Sequence, residues 1–153
     1  MTNPIFYWTL LALCSTYILA KGAPPERTGI SILIIGSVLS VLSANAYPMR
    51  FQHMEVGIFV VDLVGLIALV VLALRADRYW PIWVAGFHLV GVATHAAMAA
   101  SPEVVPRAYA MAQAFWGYPM LAAMMAGAWR HRNRLARYGE DPSWSGRSGK
   151  AQP

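Results

Sequence analysis

Asp62 is the residue whose surroundings most need explaining. It follows Val56-Gly57-Ile58-Phe59-Val60-Val61 and precedes a second apolar run. A carboxylate held in hydrocarbon costs at least about 2.5 kcal/mol unless it is neutralised, paired or hydrated. The groups that could meet it are His95, Gln113 and His88, with Ser40, Ser43 and Asn45 on an earlier segment. His88 and His95 are seven residues apart, so on a helix they share a face. An acid against an imidazole can hold and pass a proton, which would make this layer a proton or cation relay, or a ligand site. The plainer alternative is structural: interhelical hydrogen bonds worth roughly 0.6–2 kcal/mol each. Contact with a partner subunit is a third.

Other chemistry has less to stand on. The chain has no Gly-rich phosphate loop, no HExxH, no CxxC and no nucleophile elbow. Cys14 lies in an apolar run and is expected to be inert. No catalytic residue and no metal site is expected. Haem would need two axial ligands, but His88 and His95 stand about 10 Å apart along one helix. The second ligand would have to be His53, a methionine or a residue of another chain. A quinone pocket is the other cofactor reading.

The elements that position these groups follow from composition. Of 153 residues, 58% are hydrophobic and 12% charged, with a mean hydropathy of +0.46. Soluble domains are about half apolar and a quarter charged. The chain is therefore expected to be an all-α integral membrane protein, not a soluble or disordered one. A lone cysteine excludes a disulfide framework. Five segments approach the roughly 20 apolar residues that a span requires: about 4–20, 28–47, 56–74, 80–100 and 107–129. The last is expected to continue as a helix to about 138. Residues 1–138 then form one membrane domain, and 139–153 a mobile cytoplasmic tail.

Pro24-Pro25 reads as a separator of the first two spans, and Pro119 as a kink in the middle of the fifth. The first segment lacks a basic n-region and a small-residue cleavage site, so it is expected to be retained. Ala108–Ala112 and Ala123–Gly127 have the spacing of close helix packing, within the monomer or between subunits.

Basic residues orient the bundle. Arg50 and Arg107 lie on one side. Lys21, Arg27, Arg75, Arg78, Arg130, Arg132, Arg134, Arg137, Arg147 and Lys150 lie on the other, two against ten. Short loops rich in Lys and Arg stay in the cytoplasm, so the N-terminus is expected outside and the C-terminus inside. Phe6, Tyr7 and Trp8 then form an outer aromatic belt, and Tyr79, Trp80, Trp83 and Trp129 an inner one. Arg130, Arg132, Arg134 and Arg137 are expected to meet anionic lipid headgroups, each worth about 1 kcal/mol near the surface. The net charge of +5 is placed where membrane topology requires it, so nucleic acid is not an expected partner. Trp144 is expected to fold back onto the membrane surface or a partner.

At a rise of about 1.5 Å per residue, Asp62, His95 and Gln113 all fall about 8–10 Å below the outer ends of their helices. Antiparallel packing of the third and fourth helices then sets Asp62 near His95, with His88 deeper.

The stretches from Arg78 to Leu89, Ala110 to Met120 and Trp129 to Trp144 resemble short, uncharacterised, multi-pass bacterial inner-membrane proteins. The resemblance covers the second half of the chain. It implies an inner-membrane location and no activity. The expected role is a small non-enzymatic accessory or assembly subunit of a membrane complex or homo-oligomer. The alternatives are a proton- or cation-coupled transporter or channel built on Asp62, His95 and Gln113, and a haem- or quinone-binding component.

Overall fold

The structure, a computed structural model, describes residues 4–44, 56–100, 111 and 115–145. These residues form helices α1 (Pro4–Lys21), α2 (Pro24–Ala44), α3 (Val56–Arg75), α4 (Trp80–Ala100) and α5 (Gly117–Tyr138). Each helix packs on its successor. α5 returns to α1 and also touches α2, so the bundle closes on itself. No sheet occurs among the described residues; one isolated bridge joins Ala76 to Trp144.

Helices α1 to α4 are long and apolar enough to cross a membrane. Their outer surfaces suit hydrocarbon: Ile5, Leu13, Ile35, Val64, Ile67 and Leu74 are all exposed. The exposed hydroxyls of Thr9, Thr16 and Thr28 each donate to the carbonyl four residues back, at 2.8, 2.8 and 2.9 Å. A hydroxyl bonded to its own helix needs no water.

Pro24 and Pro25 act differently from their sequence reading. Pro24-Pro25 does not separate spans but opens α2, four residues earlier than expected. A first-turn proline loses nothing, because its missing N–H has no intrahelical partner there. The α1–α2 connection shrinks to Gly22-Ala23. Gly22 allows it, since a Cβ there would lie 2.6 Å from the Ile18 carbonyl oxygen. At Pro119 the helical ladder is interrupted as expected: Phe115 is helical, Trp116 keeps helical backbone angles (φ −67°, ψ −20°), and α5 is counted from Gly117, with Pro119 in its first turn. The proline cannot bond the Phe115 carbonyl, so the ladder breaks there. Residues 107–110 and 112–114 of the expected fifth span lie outside the described residues, as do Ala108 and Ala112.

The aromatic belts also need correction. Tyr79 and Trp83 are exposed, but Trp80 is only 7% exposed and points inward. Its indole is wedged between two glycines. A Cβ on Gly29 of α2 would lie 2.6 Å from Trp80 Cη2, and one on Gly127 of α5 would lie 2.5 Å from Cδ1. Trp80 therefore ties α2, α4 and α5 together, and the Ala123–Gly127 spacing serves packing within the chain. At the other end Phe6 and Trp8 are exposed while Tyr7 turns inward to Ser37.

The tail departs most from expectation. Gly139 ends α5 in the left-handed region (φ 77°), and its N–H bonds the Leu135 carbonyl. That conformation favours glycine and reverses the chain. Residues 139–145 then fold back against the α3–α4 turn, and residues 146–153 of the expected tail lie outside the described residues. Trp144 pairs with Ala76 of its own chain.

Gly127→Ala should drive a methyl into the Trp80 ring. Thermal unfolding in detergent should show a loss of about 1–3 kcal/mol, the usual cost of overpacking. An unchanged transition would mean that the indole has room to move.

Candidate functional site

Among the described residues the bundle contains two clusters of polar groups, one toward each end. The first is centred on Asp62. Its Oδ2 accepts from His95 Nε2 at 3.0 Å, and the His95 side chain is fully buried while that of Asp62 is 20% exposed. The Phe59 ring packs edge-on against His95, with centroids 5.7 Å apart. His88 Nε2 lies 2.9 Å from the backbone carbonyl of Asp62. A carbonyl only accepts, so this nitrogen carries the proton.

Helix geometry explains why two histidines meet one aspartate. A helical side chain leans toward its own N-terminus. On α3 that lifts the Asp62 carboxyl toward His95. The Asp62 carbonyl points the other way, toward the C-terminus of α3, and meets His88. Gly65 clears the space: a Cβ there would lie 3.2 Å from His88 Nε2.

The rest of the expected layer is distributed differently. Ser43 faces α3 but packs against Gly57, one turn above Asp62. Ser40 is half-buried on α2, and among the described residues no bond joins it to Asp62 or His95. An α2 hydroxyl that bonds across to another helix is that of Ser37, 3.0 Å from Tyr7 Oη. Tyr7 stacks edge-on against Tyr118. Ser37 and Tyr7 are polar members that periodicity alone did not single out. Gln113 and Asn45 lie outside the described residues, as do Glu55 and His53. Both Nε2 atoms of His88 and His95 are turned to Asp62, so neither offers that nitrogen to an iron. Among the described residues no group of three or more His, Cys, Asp or Glu could hold a metal.

The second cluster was not foreseen. Glu26 sits in the first turn of α2, where a carboxylate suits the helix dipole, and it is fully buried. Trp80 Nε1 donates to its Oε1 at 2.9 Å, and Arg78 Nε stands 3.4 Å from the same oxygen. Arg78 then reaches outward. Its Nη2 donates to Asp141 Oδ2 at 2.7 Å, and its Nη1 donates to the carbonyls of Asp77 and Pro142 at 2.8 and 2.5 Å. His131 Nδ1 donates to Asp141 Oδ2 at 2.5 Å, and Arg134 Nε lies 3.0 Å from Oδ1. Two carboxylates thus face two guanidiniums, and the imidazole adds a donor.

Arg134 therefore pairs with Asp141 through Nε, with its side chain still 42% exposed. Arg130, Arg132 and Arg137 remain exposed. The sequence did hold some signal for this cluster. Pro-Pro-Glu is a common way to begin a helix, and a glycine before Glu-Asp-Pro marks a cap that turns the chain back.

Compared with protein-family models, curated proteins and solved structures, the chain matches none.

Removing one partner of a buried ion pair strands the other, at about 3–5 kcal/mol. Arg78→Ala should lose stability on that scale in detergent unfolding. Adding Glu26→Gln to Arg78→Ala should restore part of it, because the stranded charge is gone. No recovery in the double variant would mean that Glu26 is not the charge Arg78 compensates.

Proposed function

We propose that this chain is a five-span protein of the bacterial inner membrane, N-terminus outside, and that Asp62 and His95 form a proton- or cation-binding centre serving transport or conductance. The observation that carries the reading is the 3.0 Å bond between a partly exposed carboxyl on α3 and a fully buried imidazole on α4. An ionisable group within a span is costly, and where one occurs it commonly marks an ion or proton path. The exposed part of Asp62 supplies access, and the buried imidazole can hold a proton away from water. Four apolar helices, lipid-compatible outer faces and the two-against-ten distribution of basic residues support the placement. Arg130, Arg132 and Arg137 would meet anionic headgroups at the cytoplasmic side, in a homo-oligomer or a larger membrane complex.

A second reading, a non-enzymatic accessory or assembly subunit, is favoured by one specific contact. The bond from His88 to the Asp62 carbonyl engages backbone, and it fastens α3 to α4 without serving the carboxyl. On that reading all the bonds around Asp62 are a clamp.

Asp62→Asn separates the two, since the amide can still bond His95 but cannot ionise. In proteoliposomes carrying a pH gradient and a pH-sensitive dye, the wild type should dissipate the gradient. The variant should not, while staying within about 1 kcal/mol in stability. Wild-type vesicles as tight as empty ones, with a variant that assembles poorly, would establish the clamp instead.

A further inference from the structure

The buried carboxylate Glu26 plays no part in the Asp62 centre; Trp80 and Arg78 meet it, and Arg78 is held in turn by the C-terminal segment. We propose that residues 139–145 are a latch that closes this end of the bundle over Glu26, with Arg78 as the cation shared between the latch and the acid beneath it.

The attachment is polar and narrow. Asp141 is gripped by Arg78, His131 and Arg134. The Pro142 carbonyl accepts from Arg78. Beyond it the segment runs antiparallel to the α3–α4 turn: Asp77 N–H bonds the Ser143 carbonyl at 3.2 Å, and Ser145 N–H bonds the Arg75 carbonyl at 3.0 Å. Ser145 Oγ donates to that same carbonyl at 2.8 Å. Trp144 is the one large apolar side chain that the segment packs against the core. The bundle beneath is held by many apolar side chains, so the segment can detach without unfolding it. Regions with few buried apolar contacts open at the low end of the stability range.

The seam under the latch is polar. Glu26 is fully buried, and its Oε2 has no hydrogen-bond partner among the described residues. Arg78 bridges the two layers, with its Nε toward Glu26 and its Nη atoms on Asp141 and Pro142. When Asp141 and Pro142 leave, Arg78 loses those acceptors and keeps Glu26 and the Asp77 carbonyl. Water then reaches a carboxylate that the closed form hides. The device is a local closure whose release exposes one acid, and it stands whether or not Asp62 binds protons.

Modification of the purified full-length chain in detergent, with a water-soluble carbodiimide and glycine ethyl ester, tests this. Sites are read by mass spectrometry. An added Glu-containing peptide provides the rate standard, and Glu26→Gln confirms the peptide assignment. In the wild type the exposed Glu140 should react and Glu26 should resist. In Asp141→Asn, Glu26 should react roughly tenfold faster relative to the added peptide, in step with faster amide exchange at Asp77 and Ser145. If Asp141→Asn loses its helical signal, Trp144→Ala frees the same segment from its other end and is read in the same way. Equal Glu26 reactivity in the wild type and a released variant overturns the proposal. Continued resistance after the two amides have lost protection does so equally.

Discussion

An acid inside an apolar bundle must be met by a donor, and here a single stretch of chain meets both Asp62 and Glu26. His88 and His95 of α4 hold Asp62 of α3. Arg78 and Trp80, where α4 begins, hold Glu26 of α2. If α4 rotated or slid by a turn, both carboxylates would lose their partners at once. Each loss would leave a charge in surroundings that penalise it by several kcal/mol. The register of α4 is thus fixed at two heights by electrostatics as well as by packing.

Packing supports the same register through absences. Gly65 leaves room for His88, while Gly29 and Gly127 leave room for the two edges of Trp80. Helices that approach through small residues gain contact area where hydrocarbon offers no hydrophobic drive for association. Trp80 uses that room twice, filling the space between α2 and α5 and directing its N–H to Glu26. Helix packing and charge burial meet in one side chain.

The two polar clusters differ in kind. The Asp62 centre is small, lies within the span and is partly exposed, the features on which a proton- or cation-binding role rests. The Glu26–Arg78–Asp141 cluster is a chain of alternating charges that runs from the interior of the bundle to a folded-back terminus. The first joins two neighbouring spans. The second joins α2, the α3–α4 turn and the end of α5, and so bears on how that end of the bundle closes.

The sequence by itself determined the apolar helices, their approximate ends and the pairing of Asp62 with His95. That pairing was legible because both residues interrupt apolar runs at matching depth on consecutive, oppositely directed helices, and such helices nearly always touch. Helical periodicity says which residues share a face, however, and not which neighbour that face meets. Tertiary structure therefore decided that Ser37 bonds Tyr7 across the bundle, that Trp80 points inward while Trp83 points out, and that Arg134 reaches Asp141. Only the closed bundle could bring Glu26, Arg78 and Asp141 together. Each is locally ordinary, in a helix start, a turn and a tail, and their attraction acts across distances in space that chain order does not encode.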